Sequence, residues 1–554
     1  MRRSPIFLVL AFTCAVFCAI PLILAQTPSA TSTGSPAWLG AAWRQSLSVP
    51  LLPAILSGNT PAVLPQTTTV IDGNGATTTY FPGGSVTTAN NAFFKPLGTN
   101  GRTCFTCHQP QNNWSISPAS VLITYGATLG KDPLFAPVDG ADCPNTGAAN
   151  SNFGLKFIAV RSQLFLRGNF RIGLPVPATH DWASVSVASD PTGCEKNATY
   201  GLPAGMLSFY RRPLPATNVI YTTPGLAGPV PNIMWDTREP SLASQFVDAT
   251  LTHAQAASAP DPSAVTQGVT FQSGSFTAQS YDFLAGDLTG GDSSGSMGGA
   301  INLYNYSNTL PYFGPGAAFG GGSCSVPAQP CPGSLFPNHL IPGDFNGTEL
   351  FGAFSAGGGN NAVAAARRQS IARGESIFNN RTFNITGVTG LNDLPGFGAP
   401  IILGTCSRCH NNANVGNDAF DDPKHIGVAD NSYISALQSP NGTTTLPLVS
   451  DQPIFSFLCT PGSIPYFSNP VTVNGVTYDQ YLTSDPGVGW ITGKCADLGK
   501  FKVSSLRGIG ARPPFFHGGQ AATMRDVVVF YNNRFNMGLN AQDIQDLVNY
   551  LNSL

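Results

Sequence analysis

Helices are predicted at four places in the chain, two of them by apolar positions at helical spacing. Near the C-terminus, Met524, Val527, Val528 and Tyr531 stand at i, i+3, i+4 and i+7 behind Thr523, whose partner Asp526 completes a capping box. Tyr531 therefore faces inward. Asn540 caps a last helix on which Ile544, Leu547, Val548 and Leu551 repeat the rule. Asn361–Phe378 predicts a longer helix with Ile371, Gly374 and Phe378 on one face. Ser241 caps a fourth helix from Leu242 to about Thr252, a run without Gly or Pro. There Gln245, Ala249 and His253 fall on one side at four-residue steps.

The segments between these helices are punctuated by Gly, Pro, Ser and Thr. Residues 26–90 read as an irregular arm, and Gly154–Leu166 as a strand or short helix. Residues 258–345 break up into loops, of which Gly286–Gly299 reads as flexible, and Asn379–Leu403 reads as an inserted loop. The expected architecture is mainly α, with long irregular loop insertions.

With 554 residues, the chain is long enough for two or three domains. Charged residues make up 10%, against about 25% in typical domains, while 42% of the chain is hydrophobic. The formal net charge is −2, and no basic stripe points to nucleic acid. Arg2 and Arg3, the apolar run Ile6–Leu24 and the small Ala25 read as a signal peptide over residues 1–25. The twin Arg lacks the rest of a Tat pattern, so a Sec-type signal and a periplasmic location are expected. No later stretch is apolar enough to span a membrane.

Of 12 cysteines, Cys14 and Cys18 lie in the signal. Cys104, Cys107 and His108, and again Cys406, Cys409 and His410, spell C-x-x-C-H, the attachment signature of a c-type haem. Two thiols at that spacing reach the two vinyl groups of one porphyrin, and the His turns onto the iron. Two covalent haem c groups are expected, with His108 and His410 as iron ligands. The other cysteines suit disulfides in an oxidising compartment, and sequence proximity favours Cys143–Cys194, Cys324–Cys331 and Cys459–Cys495 among 15 connectivities. Phe93, Phe94 and Trp114 flank the first motif as candidate packing for the porphyrin, and Arg211 and Arg212 are a propionate-binding pair or a solvated one.

The order of motifs resembles a known family. After the first C-x-x-C-H come Trp235-Asp236-x-Arg238 with Ser241, Leu242 and Gln245, then the second C-x-x-C-H. Phe501-Lys502-Val503-x-x-Leu506-Arg507, Pro514-Phe515-Phe516-His517-x-Gly519 and the closing helix pair follow. This is similar to the bacterial di-haem cytochrome c peroxidases and the related MauG-type enzymes, over about residues 91–120, 210–256 and 361–554.

The resemblance implies two α-helical cytochrome c-like haem domains, placed here at 91–345 and 346–554. It implies a peroxidatic N-terminal haem, an electron-relay C-terminal haem, and Trp235 as the bridge; the alternative is a core Trp. The implied reaction is reduction of hydrogen peroxide, with electrons from a small redox protein. The readings kept beside it are MauG-like oxidation of a partner protein and a non-catalytic electron-transfer cytochrome.

Several positions depart from the family pattern. Its catalytic glutamate falls at Gln255, which cannot act as a general base. His253 remains as an acid–base candidate, or as a ligand to the first iron. No His lies between His108 and His180, so the family's reductive switch is not expected. The methionine ligand of the second haem falls at Tyr531, with Met537 as its rival. At the family's calcium site Pro514 is retained and Asn218 matches the Asn, but the Thr position is Arg512, so no firm calcium site is expected.

Overall fold

The computed structural model describes residues 61–151, 154–195, 205–221, 233–309, 350–393, 398–410, 415–416, 423–430 and 451–554. Among them about 35% are helical and 21% are strand, in five sheets. The expectation of a mainly α fold built from two cytochrome c-like domains is thereby corrected: antiparallel sheets and helices share the scaffold. No helix among the described residues is long and apolar enough to cross a membrane.

The helices form where periodicity and caps place them. Ser241 caps Leu242–Thr252, Asn361 caps Ala362–Asn380, Thr523 caps Met524–Arg534 and Asn540 caps Ala541–Leu551. Ile371, Phe378, Met524, Val527, Val528, Ile544, Leu547 and Leu551 are all buried in one C-terminal core. Each such side chain contributes roughly 1.5–3 kcal/mol by leaving water.

The strands arise where the sequence reads as loop. Thr67–Ile71 and Gly75–Tyr80 pair as a hairpin, whose turn is tied when Asp72 Oδ1 accepts from the Asn74 and Gly75 amides at 2.7 and 2.9 Å. Gly75–Tyr80 pairs in turn with Phe276–Asp282. The arm therefore contributes strands, including Val63–Leu64 paired with Val86–Thr87, and the 258–345 insertion supplies a strand and the helix Pro262–Ser273. Trp114 seals the join, donating from Nε1 to Thr79 Oγ1 at 2.8 Å. The Asn379–Leu403 insertion likewise holds a hairpin, Phe383–Thr386 against Ile401–Gly404.

A second four-stranded sheet joins the two halves of the chain. Ser184–Ser189 pairs with Ile454–Cys459, which pairs with Val476–Thr483 and so with Pro470–Val473. Two disulfides form beside it, Cys143–Cys194 and Cys459–Cys495, with Cα separations of 5.4 and 6.1 Å. Cys324 and Cys331 lie outside the described residues.

Ala362–Asn380 crosses Ala541–Leu551 at Gly374. A Cβ there would sit 2.0 Å from the Asp546 carbonyl oxygen, so only glycine permits the approach. Asp546 locks the crossing from the other side, accepting from Ser370 Oγ and Arg373. Gly374→Ala should force the helices apart and cost about 1–3 kcal/mol, read as a lower denaturation midpoint; an unchanged midpoint would contradict this packing.

Asp142 is buried beside the first disulfide and accepts from Ser162 Oγ and the Ser162 amide at 2.6 and 3.0 Å. Burial pushes its carboxyl from 3.8 up to about 6, against the lowering effect of those hydrogen bonds. The folded state thus prefers the protonated acid. Its contribution is fully present below about pH 4 and is lost as pH rises through 6, a change on the order of 3 kcal/mol. Asp142→Asn should remove that part of the pH slope; matching stability-versus-pH curves for variant and parent would refute it.

Candidate functional site

Each C-x-x-C-H motif stands in the wall of its own large, mostly apolar cleft. At the first, a capping box on Thr103 starts the turn Cys104–Cys107, which presents both cysteines along one wall. Both thiols are free, and burial pushes them up to about 12. His108 Nδ1 donates to the Trp114 carbonyl at 2.8 Å, leaving Nε2 as the ring's lone-pair nitrogen. Burial pushes this imidazole down to about 4, so the ring is neutral. Beneath the turn, Phe93, Phe94, Phe105, Trp114 and Phe271 form a buried aromatic cluster. Phe93 also reaches the cleft, which holds about 1540 Å³ of space with its open mouth included.

The helix Leu242–Thr252 lines the same cleft with Gln245 and Ala249, and His253 extends that line at its C-terminal cap. His253 is half-buried and donates from Nδ1 to Asp139 Oδ2 at 2.5 Å, which leaves its Nε2 uncommitted. Burial would raise the Asp139 carboxyl, but the Arg102 guanidinium and the His253 hydrogen bond hold it below the usual range. Arg102 is fixed by the Pro133, Leu134 and Ala136 carbonyls. Gln255 is placed elsewhere. It is exposed at a φ of 56°, its side chain accepts from Asn100 at 3.4 Å, and it lies outside the cleft lining. Gln255 is thus turned away from the cleft, and His253, two positions earlier, faces it.

The second cleft holds about 1580 Å³ of space, again with its open mouth included. Cys406, Cys409 and His410 line it, with free thiols that burial pushes up, Cys406 to about 12. Burial also pushes His410 down to about 4, offset in part by the Val415 backbone, although Nδ1 makes no ordinary hydrogen bond among the described residues. Tyr531 stands with its ring centroid 6.5 Å from that of His410, at 81°. Burial raises the Tyr531 phenol further above its ordinary value. Met537 lines the same cleft, so both rival ligands remain within it.

Between the clefts lies a shared wall that includes Arg212, Trp235 and Lys502. Trp235 is half-buried because it borders both spaces; its Nε1 donates to the Arg212 carbonyl at 2.8 Å. Behind it His517 stacks on Phe501 at 3.9 Å and meets Trp235 edge-on at 6.1 Å. Asp236 is fully buried and takes Arg211 and Arg238, while Arg211 also reaches Asp485 at 2.6 Å. Arg211 and Arg212 are therefore buried, which excludes the solvated-pair reading. Asn218 spends its side chain on Thr277, donating to the carbonyl at 2.7 Å and accepting from the amide at 2.9 Å. Pro514 borders the second cleft beside Arg512.

Arg102 and Asp139 were not legible as site residues: neither belongs to a motif, and both reach His253 only through the fold. Comparison with curated proteins finds similarity to two proteins named cytochrome-c peroxidase IdrP1. The one from Pseudomonas sp. (strain SCT) is 28% identical over 165 residues, covering 26% of this chain and 42% of that protein. The one from Denitromonas iodatirespirans is 33% identical over 93 residues, covering 14% of this chain and 25% of that protein. The chain spans less than half the length of these curated relatives. No family model matches.

Proposed function

We propose that this chain is an exported di-haem c-type oxidoreductase that reduces hydrogen peroxide with electrons supplied by a small redox protein. The observation that carries this reading is that two motif-bearing clefts share Trp235 as a wall. The distant similarity to cytochrome-c peroxidases supports the same reaction class. The residues fit the group: each cleft is spacious and largely apolar, and each offers two free thiols and a neutral imidazole on one side. When bound, haem supplies an iron that exchanges single electrons and binds peroxide.

The chain's own residues divide the remaining work. Cys104 and Cys107 would hold the first group, and the hydrogen bond from His108 Nδ1 to the Trp114 carbonyl keeps Nε2 as the nitrogen that would ligate it. Peroxide cleavage requires a proton to move from the near oxygen to the far one. His253 Nε2 is suited to take and return that proton, because Asp139 holds the other ring nitrogen protonated. Gln245, two turns earlier on the same side, can hydrogen-bond the substrate. Trp235 is the crossing point for electrons from the second cleft to the first. In the second cleft His410, with Tyr531 or Met537, would hold the second group.

One observation favours a second reading. The free Nε2 of His253 can also ligate the first iron, making the protein a non-catalytic electron carrier. Electron paramagnetic resonance of the resting ferric protein separates the two. A high-spin signal beside a low-spin one, with peroxide turnover, supports the enzyme. Two low-spin signals without turnover, before or after one-electron reduction, sink it.

A further inference from the structure

Arg212 and Arg512 present a physical anomaly at the junction of the two clefts. Both are buried, with 5% and 7% of their surface exposed. Neither meets a carboxylate among the described residues. Arg212 donates only to neutral carbonyls: Arg167 at 2.6 Å, Ile116 at 2.7 Å and Arg512 at 3.0 Å. Arg512 donates to the Ser505 carbonyl, and its Nε, although buried, has no hydrogen-bond partner among the described residues. Burial and the neighbouring Arg512 push Arg212 down to about 9, and burial pushes Arg512 to about 10.

Their neighbours do not supply the missing charge. Asp236 and Asp485 are already engaged by Arg211 and Arg238. Lys502 lies in the same wall and adds a further cation. An uncompensated buried charge is costly, and burying two like charges side by side costs more. Such a pair persists where an anion completes it. Arg212 borders both clefts, whereas Arg512 borders the second and holds Ser505, which borders the first. Guanidinium donors suit carboxylates in particular, through paired N–H bonds.

We propose that Arg212 and Arg512 form a fixed cationic bridge that takes the carboxylates of the groups in both clefts and so sets their two reduction potentials together. This rests on the di-haem reading, with the haem propionates as the carboxylates. Removing one cation near an oxidised iron makes that iron harder to reduce.

The test is a spectroelectrochemical titration of the full haem-loaded protein at constant pH, for the parent and for Arg512→Gln, Arg512→Lys and Arg212→Gln. Arg512→Gln should shift the reduction equilibrium of at least one haem toward the oxidised form by on the order of tenfold, the effect of one charge about 10 Å away in a partly polar interior. Arg512→Lys should recover most of it, and Arg212→Gln should move both haems. Two haems per chain with potentials unchanged in Arg512→Gln would overturn the proposal. Should Arg212→Gln fail to fold, Arg512→Gln decides alone, since Arg512 holds a single carbonyl. Parent potentials that respond to added chloride, with Arg512→Gln insensitive, would overturn it in favour of a free anion. A haem count below two in the parent would instead refute the di-haem reading.

Discussion

A Cys104→Ser, Cys107→Ser double variant is expected to carry one haem fewer than the parent and to lose peroxide turnover. Both thiols are free, buried and in the wall of the first cleft, so no other covalent role competes for them. Serine keeps the size and the Thr103 capping box that shapes the turn, but cannot form the thioether. The fold should survive, because the aromatic cluster of Phe93, Phe105 and Trp114 beneath the turn is untouched. The second group, held by Cys406 and Cys409, should remain. Intact mass and the pyridine haemochrome absorbance read this directly. An unchanged mass would mean that the first motif attaches nothing, and the functional proposal would fall with it.

The second large effect is expected at His253. In the proposed role as the proton-moving residue of the first cleft, its removal in His253→Ala should lower peroxide turnover by about 10²–10⁴-fold. Binding of a small anion such as cyanide to the first haem should persist. Asp139→Asn should act in the same direction but less strongly, because the imidazole stays while the partner that fixes its tautomer weakens. In the ligand reading, the same His253→Ala exchange would open the iron, convert a low-spin signal to a high-spin one and leave turnover no lower. The two outcomes have opposite signs in one assay.

Local features carried the sequence analysis. Caps at Ser241, Asn361, Thr523 and Asn540, followed by apolar residues at helical spacing, gave helices that the structure places within a residue or two of those limits. The four-residue steps of Gln245, Ala249 and His253 put them along one cleft. The run Thr67–Ile71, Asp72–Asn74, Gly75–Tyr80 was a missed signal. β-branched residues on both sides of an Asp-Gly-Asn-Gly turn spell a hairpin, yet Thr-rich composition reads as loop.

The sequence by itself determined the chemistry that depends on neighbours in the chain: two C-x-x-C-H motifs, the helices and their caps, and the Trp235-Asp236-x-Arg238 run. Tertiary structure alone decided the rest. It paired Ser184–Ser189 with Ile454–Cys459 across about half of the chain, and it brought Asp139 and Arg102 to His253. It also turned Gln255 to solvent at a left-handed backbone position and left Arg212 beside Arg512 without a counter-charge. The physical reason is range. Helix caps and motif spacings are settled by interactions within a few residues. Strand partners, buried ion pairs and cleft walls depend on which distant surfaces exclude water together, and no local pattern encodes that.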